Sequence, residues 1–247
     1  MSEAAPARGT LGTIRNAAVL LDLLSEGPAF HQLSDLAERS GMSLPTVHRL
    51  LRSLVSAGLV EQDPASSRYG LGPELVRLSE RYVERLPLLH IIAPYLVDLR
   101  NRTSVTVLVA ILVRDTVVYV DRIDGADVGG LFRRAGRSFP AARTAAGRIL
   151  LGHAGADAWE RLGLADDEDT LEAVRRWGKA EHLTAPVDGM EDRIEVAVPV
   201  SSADGHADAA LVAIGGPPTF PAERLVVEVV PQLQQTVAAV RRVVGSG

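Results

Sequence analysis

The stretch Leu33–Val55, LSDLAERSGMSLPTVHRLLRSLV, decides the first part of the fold. A helix-turn-helix needs a small residue at the helix crossing, a glycine at the turn and a branched apolar residue on the second helix. Ala37, Gly41 and Val47 stand at those places, with separations of four and six residues. The stretch therefore predicts two crossing helices, Leu33–Arg39 and Ser43–Ala57. The alternative is a helical hairpin that only packs.

The second of these helices has an apolar face and a polar face. At about 100° per residue, one face collects Val47, Leu50, Leu51, Leu54 and Val55. The N-terminal end of such a helix usually enters the major groove of DNA. The residues predicted to contact DNA there are Ser43, Pro45, Thr46, His48, Arg49, Arg52 and Ser56.

Charge supports this prediction only locally. From Arg39 to Val60 there are three arginines and no acidic residue, although residues 1–75 hold six arginines against eight acidic residues. For Arg49 and Arg52 the alternative is an ordinary solvated helix face. Contact with a groove or a phosphate is favoured because acidic residues are missing from that stretch.

The segments around this motif predict a winged domain and a linker. A first helix is predicted over Thr13–Glu26, with the apolar residues Ile14, Ala17, Ala18, Leu21 and Leu24. After Gly58, two short strands within Leu59–Leu71 flank a turn at residues 63–67, which predicts a wing. Arg68 is a candidate contact to the DNA backbone, or an ordinary edge-strand charge. A linker helix follows over Pro73–Leu86, with an apolar stripe of Leu75, Leu78, Tyr82 and Leu86.

The remaining chain mixes helices and strands, which predicts a second domain of a different class. Helices are expected at Leu88–Arg102, Thr144–His153, Asp157–Leu162, Asp169–His182 and Ala222–Val244, and strands at Val105–Val113, Thr116–Ile123, Ile194–Ser201 and Asp208–Ile214. The predicted fold is α+β, with an antiparallel sheet in the second domain. Its predicted parts are a disordered arm (1–9), a winged helix-turn-helix (10–72), a linker helix (73–87) and a C-terminal domain (88–247).

Composition excludes several classes of enzyme and of membrane protein. The 247 residues include no cysteine and only one lysine, Lys179, so thiolate catalysis and Cys-ligated metals are absent. His153 and His182 have no third ligand at a recognisable spacing, and no metal or cofactor is expected. The longest apolar run, Val105–Val113, is too short for a bilayer, and Met1–Gly12 lacks a signal core. These features predict a cytoplasmic protein without catalytic activity.

Three motifs resemble those of the IclR family of bacterial transcriptional regulators. Thr46–Leu51 resembles its S-T-x-x-R-L-L segment, with Pro45 at the serine position. Residues 136–151 resemble G-x-x-x-P-x-H-x-T-A-x-G-K-A-L-L, with Ala142 at the histidine and Arg148 at the lysine. Residues 197–200 and 215–217 resemble A-A-P-V and the end of S-x-S-G-P, whose serines fall here on Ala213 and Gly215.

This resemblance implies a homodimer, or a dimer of dimers, that binds a palindromic double-stranded DNA operator. It also implies a GAF-like C-terminal domain that binds a small molecule, often an organic acid. The residues that the resemblance assigns to effector binding are Ala145, Ala146, Gly147, Arg193, Glu195, Ala213 and Gly215.

Two of these residues carry charge on an alternating strand. Ile194, Val196 and Val198 share one face, whereas Arg193 and Glu195 share the other. The pair faces either solvent or, if the resemblance holds, the effector pocket, where it would suit a polar or zwitterionic ligand. Other candidate partners for a ligand carboxylate are Arg133, Arg134 and Arg143.

The sequence as a whole predicts a DNA-binding transcriptional regulator that responds to a small polar or organic-acid metabolite. One alternative is a constitutive DNA-binding protein with a vestigial ligand domain. The other is an enzyme acting on a small molecule, which would need a nucleophile or an acid/base pair that the sequence does not show.

Overall fold

A computed structural model describes residues 8–125, 138–164, 166–187, 190, 192–201, 206–217 and 220–244. The chain divides into two units, the first ending at Arg85 and the second beginning at Leu86. Within the described ranges, no helix has the length and apolar character needed to cross a membrane.

The first unit has the order of a winged helix-turn-helix. Its elements are α1 (Arg8–Leu24), α2 (Leu33–Ser40), α3 (Leu44–Ser56), β1 (Val60–Gln62), β2 (Tyr69–Leu71) and α4 (Glu74–Glu84). Strands β1 and β2 pair antiparallel. Helix α1 begins at Arg8 rather than at Thr13, so Arg8 and Gly9, which we predicted to be in the disordered arm, are helical instead.

The core of this unit lies between α1, α2 and α3. Leu20, Leu36 and Leu51 are fully buried there. Two of the apolar residues whose spacing predicted these helices are not part of it, because Ile14 is 69% exposed and Val55 is 37% exposed. The buried stripe of α1 runs instead through Leu20 and Leu24, and Val55 lies at the edge of the apolar face of α3.

The turn between α2 and α3 depends on Gly41. Its φ of 66° lies in the left-handed region, and its N–H donates to the Glu38 carbonyl oxygen at 3.3 Å. A side chain at this φ strains the backbone, which is why glycine ends helices in this way. The predicted role of Gly41 at the turn is confirmed.

The second unit is a six-stranded antiparallel sheet with helices on both faces. Its helices are α5 (Pro87–Thr103), α6 (Ala145–His153), α7 (Ala156–Arg161), α8 (Glu168–Trp177), α9 (Ala222–Arg224) and α10 (Val230–Val244), with a 3-10 turn at Ala141–Arg143 and a π-helical turn at Leu225–Val229. Its strands are β3 (Thr106–Val113), β4 (Thr116–Ile123), β5 (Ser138–Pro140), β6 (Leu183–Pro186), β7 (Ile194–Ser201) and β8 (Ala207–Gly215), in the order β5-β4-β3-β8-β7-β6. The predicted α+β class and antiparallel sheet are confirmed.

Differences from the predicted elements are concentrated at the sheet edges. Strands β5 and β6, of three and four residues, were not predicted, because so short a segment shows no measurable alternation. Helix α8 ends at Trp177 rather than at His182, since Gly178 takes its C-cap position. The central strands β3 and β8 are buried almost throughout, as expected for strands covered on both faces.

Strand β7 places alternate residues in different layers. Val196, Val198 and the partly buried Ile194 pack in the layer of α5 and α10, as predicted. Ala197 packs in the opposite layer, which contains α6. Glu195 is two residues before Ala197 on the same strand, so its side chain lies on the same face, beneath α6.

Candidate functional site

The polar face of α3 forms a shallow concave surface in the first unit. This concavity, of about 510 Å³, is lined by His48, Arg49, Arg52, Ser53 and Ser56. The face is exposed because Val47, Leu50, Leu51 and Leu54 turn the opposite side of the helix into the core. We predicted all the lining residues except Ser53, which lies four residues after Arg49 on the same face.

Two arginines give this surface its positive charge. Among the described residues, Arg49 and Arg52 form no ion pair with an acidic side chain. Arg39 behaves differently, since it pairs with Glu26 at 2.6 Å and with Asp35 at 3.7 Å. The local positive charge is therefore smaller than the count over residues 39–60 suggested. Glu26 and Asp35, which pair with Arg39, lie outside that stretch.

The start of α3 is ordered by its own polar residues. Ser43 is the N-cap residue, and its hydroxyl is hydrogen-bonded to that of Thr46 at 2.9 Å. Pro45 is exposed in the first turn, where the absence of its N–H has no consequence. These three residues lie in the first turn of the helix whose later residues line the concave surface.

The wing turn is fixed by Asp63. Its carboxylate accepts hydrogen bonds from the Ser66 hydroxyl and from the backbone N–H groups of Ala65 and Ser66. These bonds, the one from the Ser66 hydroxyl foremost, lower the pKa of Asp63. Arg68 is exposed at the end of this turn, so it is accessible to a phosphate.

In the second unit, Glu195 is the centre of a buried polar cluster. Its side chain is almost fully buried, at 2% exposure. Oε2 accepts a hydrogen bond from the Tyr119 hydroxyl at 2.6 Å. Oε1 accepts from the backbone N–H of Ala146 at 3.2 Å and from that of Ala145. The carboxyl group thus occupies the N-terminal end of α6.

The start of α6 is built to receive this group. Thr144 is the N-cap residue, and its Oγ1 accepts from the Gly147 N–H at 2.9 Å. A Cβ atom at Gly147 would collide with the Ala141 backbone, so only glycine allows the preceding 3-10 turn to approach. The N–H groups of Ala145 and Ala146 remain for Glu195, and both side chains are fully buried.

Burial controls the ionisation of both acidic groups in this cluster. Desolvation raises the pKa of Glu195 above its usual value, against the opposing hydrogen bonds from Tyr119, Ala146 and Ala145. Desolvation and the neighbouring Glu195 raise the pKa of Tyr119 as well. Tyr119 is therefore a hydrogen-bond donor throughout the physiological pH range.

The structure brings together only part of the predicted effector-binding set. Ala145, Ala146, Gly147 and Glu195 meet, but Ala213 packs in the layer of α5 and α10, on the opposite side of the sheet. A side chain at Gly215 would meet Phe220 and Leu225 of that same layer. The assignment of Ala213 and Gly215 to this site is wrong, because Glu195 pairs with Ile214 and the residues on either side of Ile214 point away.

The charged pair predicted on β7 is not formed. Glu195 is bonded to Tyr119 and to backbone amides, while Arg193 is half-buried and lies along Gly216. The solvent-facing alternative is also wrong for Glu195. Arg143 is exposed, and Arg133 and Arg134 lie outside the described residues.

Tyr119 was missed because no local pattern connects it to Glu195, 76 residues away. Of the two histidines considered for a metal site, His153 is hydrogen-bonded to the Ile149 carbonyl oxygen at 2.9 Å. Over the ranges that the structure describes, there is no group of three or more metal-ligating side chains.

Comparison with known proteins identifies the family. The IclR helix-turn-helix domain matches residues 13–64, and the C-terminal domain of the bacterial transcriptional regulator IclR matches residues 80–170. The chain belongs to the IclR family of bacterial transcriptional regulators. The family resemblance drawn from the three motifs is thereby confirmed.

Individual members of the IclR family match over different lengths. The glycerol operon regulatory protein of Streptomyces griseus is 29% identical over 95% of this chain and 97% of its own length. XynR of Escherichia coli is 29% identical, but that match spans 66% of this chain and 62% of XynR. Both are named for regulation rather than for catalysis, which confirms the prediction of a regulator over an enzyme.

Solved structures of IclR regulators share the fold. A regulator from Brucella abortus superposes with a TM-score of 0.79 at 21% identity, covering 99% of this chain and 96% of that one. An IclR homologue from Microbacterium hydrocarbonoxydans, solved with 4-hydroxybenzoate, gives a TM-score of 0.67 at 21% identity, covering 95% of this chain and all of that one.

Proposed function

We propose that this IclR-family protein binds a double-stranded DNA operator through the exposed face of α3 and the wing. The observation that carries the proposal is the concave surface on α3, whose two arginines have no acidic partner in the described structure. The candidate contacts are Ser43, Pro45, Thr46, His48, Arg49, Arg52, Ser56 and, on the wing, Arg68. Since operator DNA lies in the cytoplasm of a bacterium, the protein is expected to act there.

Gel-shift titration at fixed salt tests this role. A DNA fragment selected from random sequence by the parent protein is titrated with the parent, Arg49→Ala and Arg52→Ala. Loss of a bidentate contact to guanine should weaken binding by ~1–3 kcal/mol and relax specificity at one base pair, whereas loss of a phosphate contact weakens binding to all sequences.

Arg122→Ala is the matched control for these variants. Arg122 lies in the second unit, where it pairs with Asp124, so its removal tests whether loss of any arginine weakens binding. If both α3 variants bind the selected DNA as tightly as Arg122→Ala does, α3 is not the recognition helix.

We further propose that the protein acts as a homodimer or a dimer of dimers, with α4 contributing to the interface. Leu78 and Tyr82, one helical turn apart on α4, are 45% and 56% exposed, so this face of α4 presents apolar side chains to solvent. Leu86, the fourth residue of the predicted stripe, instead precedes α5 and packs against the core of the second unit. Two half-sites on the DNA then match two copies of α3.

The second unit is proposed to bind the effector and to change operator affinity. The support is its fold, shared with a homologue that was solved with 4-hydroxybenzoate, and the polar cluster at the start of α6. A ligand that raises the melting temperature should also change the operator affinity of the parent. A ligand that stabilises the protein and leaves operator affinity unchanged would favour a constitutive DNA-binding protein.

A further inference from the structure

The N-terminal end of α6 already holds a carboxyl group that the chain itself supplies. Glu195 reaches this end from β7 and takes the N–H groups of both Ala145 and Ala146 on Oε1. The Tyr119 hydroxyl binds Oε2 from the other side at 2.6 Å. At 2% exposure, the group is shielded from water and from solvent anions.

A carboxylate ligand at this place would need the same three donors. Backbone N–H groups in the first turn of a helix attract negative charge. Gly147, the next N–H along the turn, is bonded to the Thr144 hydroxyl and is therefore not available. Any second carboxyl group would find these donors used and would lie beside Glu195.

We propose that Glu195 is a built-in carboxyl group that closes the α6 site to carboxylate ligands. The inference rests on the proposed function, in that it takes the second unit to be the effector-binding unit. It assigns to Glu195 the role of determining which chemical class of effector the site accepts.

The excluded class follows from the donors that Glu195 occupies. Both oxygens of its carboxyl group are bonded, Oε1 to two amide N–H groups and Oε2 to the Tyr119 hydroxyl. An effector that reaches this end of α6 is therefore expected to lack a carboxylate.

Acetate is the probe for the vacated site. Glu195→Ala removes four non-hydrogen atoms, one methylene carbon and the carboxyl group, and acetate consists of the same four. It is expected to bind where they were, between the Ala145 and Ala146 amides and the Tyr119 hydroxyl. Melting temperature is measured at pH 7 in sodium acetate and in sodium chloride of equal ionic strength.

The variant should be stabilised by acetate over chloride, and the parent should not. If acetate binds with a Kd of about 5 mM and is present at about 50 mM, the ratio of folded to unfolded protein rises about 11-fold. For a unit of this size, that gain raises the melting temperature by about 3–6 °C.

Glu195→Gln is the matched control. It removes the ionisable group but keeps the volume, so acetate should not stabilise it over chloride. This control separates a vacated site from a general effect of removing the acidic group. The comparison also controls for acetate binding in the concavity of about 690 Å³ that contains Arg114 and Arg161. Acetate bound there would stabilise the parent, Glu195→Ala and Glu195→Gln equally.

Equal responses of the parent, Glu195→Ala and Glu195→Gln would overturn the proposal. Should Glu195→Ala not fold in chloride, its refolding yield is compared in the two salts. Recovery in acetate alone supports the proposal, and recovery in neither salt contradicts it. In the parent, 4-hydroxybenzoate should stabilise no more than 4-hydroxybenzamide, and a larger shift with the acid would contradict the assigned class.

Operator binding is measured on the same samples, because the DNA-binding surface lies in the other unit. A parent that binds no DNA refutes the proposed function, whatever the acetate result. A parent that binds DNA normally, with no acetate effect in Glu195→Ala, refutes only the role of Glu195.

Discussion

Replacing Glu195 by Gln should change how the stability of the second unit depends on pH. Burial raises the pKa of Glu195, so the folded state keeps a proton that the unfolded chain releases. The stabilising contribution of the protonated group is complete below about pH 4.3, the usual pKa of Glu, and is lost as the pH rises through the raised value. Glutamine does not titrate, and its amide can use the same partners.

The size of the effect follows from proton linkage. Between the two pKa values, the parent should lose up to about 1.4 kcal/mol of unfolding free energy per pH unit relative to Glu195→Gln. Groups that titrate alike in both proteins cancel in the difference, whereas the attraction between the Arg148 charge and Glu195 is part of what is measured. At neutral pH, the variant should therefore be the more stable of the two.

Urea denaturation followed by tryptophan fluorescence measures this difference. Both tryptophans of the chain, Trp159 and Trp177, lie in the second unit, so the signal reports on that unit alone. Curves are recorded from pH 5 to pH 8 for both proteins. A difference that stays constant over this range would show that Glu195 does not titrate as inferred. If the unfolding free energy of the parent instead rises relative to that of the variant as the pH rises, the hydrogen bonds to Glu195 lower its pKa more than desolvation raises it.

Four further substitutions test other parts of the structure. Gly147→Ala should lower the stability of the second unit by about 1–3 kcal/mol through its collision with Ala141, as measured by tryptophan fluorescence. Gly41→Ala should destabilise the first unit by about 1–2 kcal/mol because of its φ of 66°, and circular dichroism would show it; an unchanged midpoint would contradict the strain. Leu51→Ala should lower the unfolding free energy of the same unit by about 2–5 kcal/mol. Leu78→Glu should reduce the mass measured by light scattering to that of a monomer; a dimer that persists would exclude α4 from the interface.

The exposed face of α3 was predictable because helical periodicity is local. The apolar residues of α3 recur at helical spacing from Val47 to Val55, so their spacing alone indicates which side is exposed. Even here, the charge of Arg39 was misjudged, because its partner Glu26 lies in the segment after α1 and reaches it only through tertiary structure. Val55 was assigned to the apolar face and yet is partly exposed, since a helical wheel gives the direction of a side chain but not how far the neighbouring elements cover it.

The buried polar cluster around Glu195 was predictable only in part, because the alternation of a strand separates its two faces but does not show which elements cover each face. The alternation of β7 places Glu195 and Val196 on opposite faces of the strand. Only the pairing of β7 with β8 shows that Ala213 lies on the opposite side of the sheet from Glu195. Tyr119 comes from β4, two strands away from β8 in the sheet order. Such a contact follows from the order of the strands, which no motif in the chain records.

The ion pair between Arg39 and Glu26 has a consequence for how the protein finds its site on a chromosome. With that guanidinium neutralised, the arginines among the candidate DNA contacts are Arg49, Arg52 and Arg68. The proposed dimer would release about six condensed counterions through them, so the logarithm of its affinity should fall with the logarithm of salt concentration at a slope of about −5. The chain also carries a net charge of −5, which opposes binding to arbitrary duplex. Little of the protein should therefore be retained on the bulk of the genome, and occupancy of the operator depends on base contacts more than on charge.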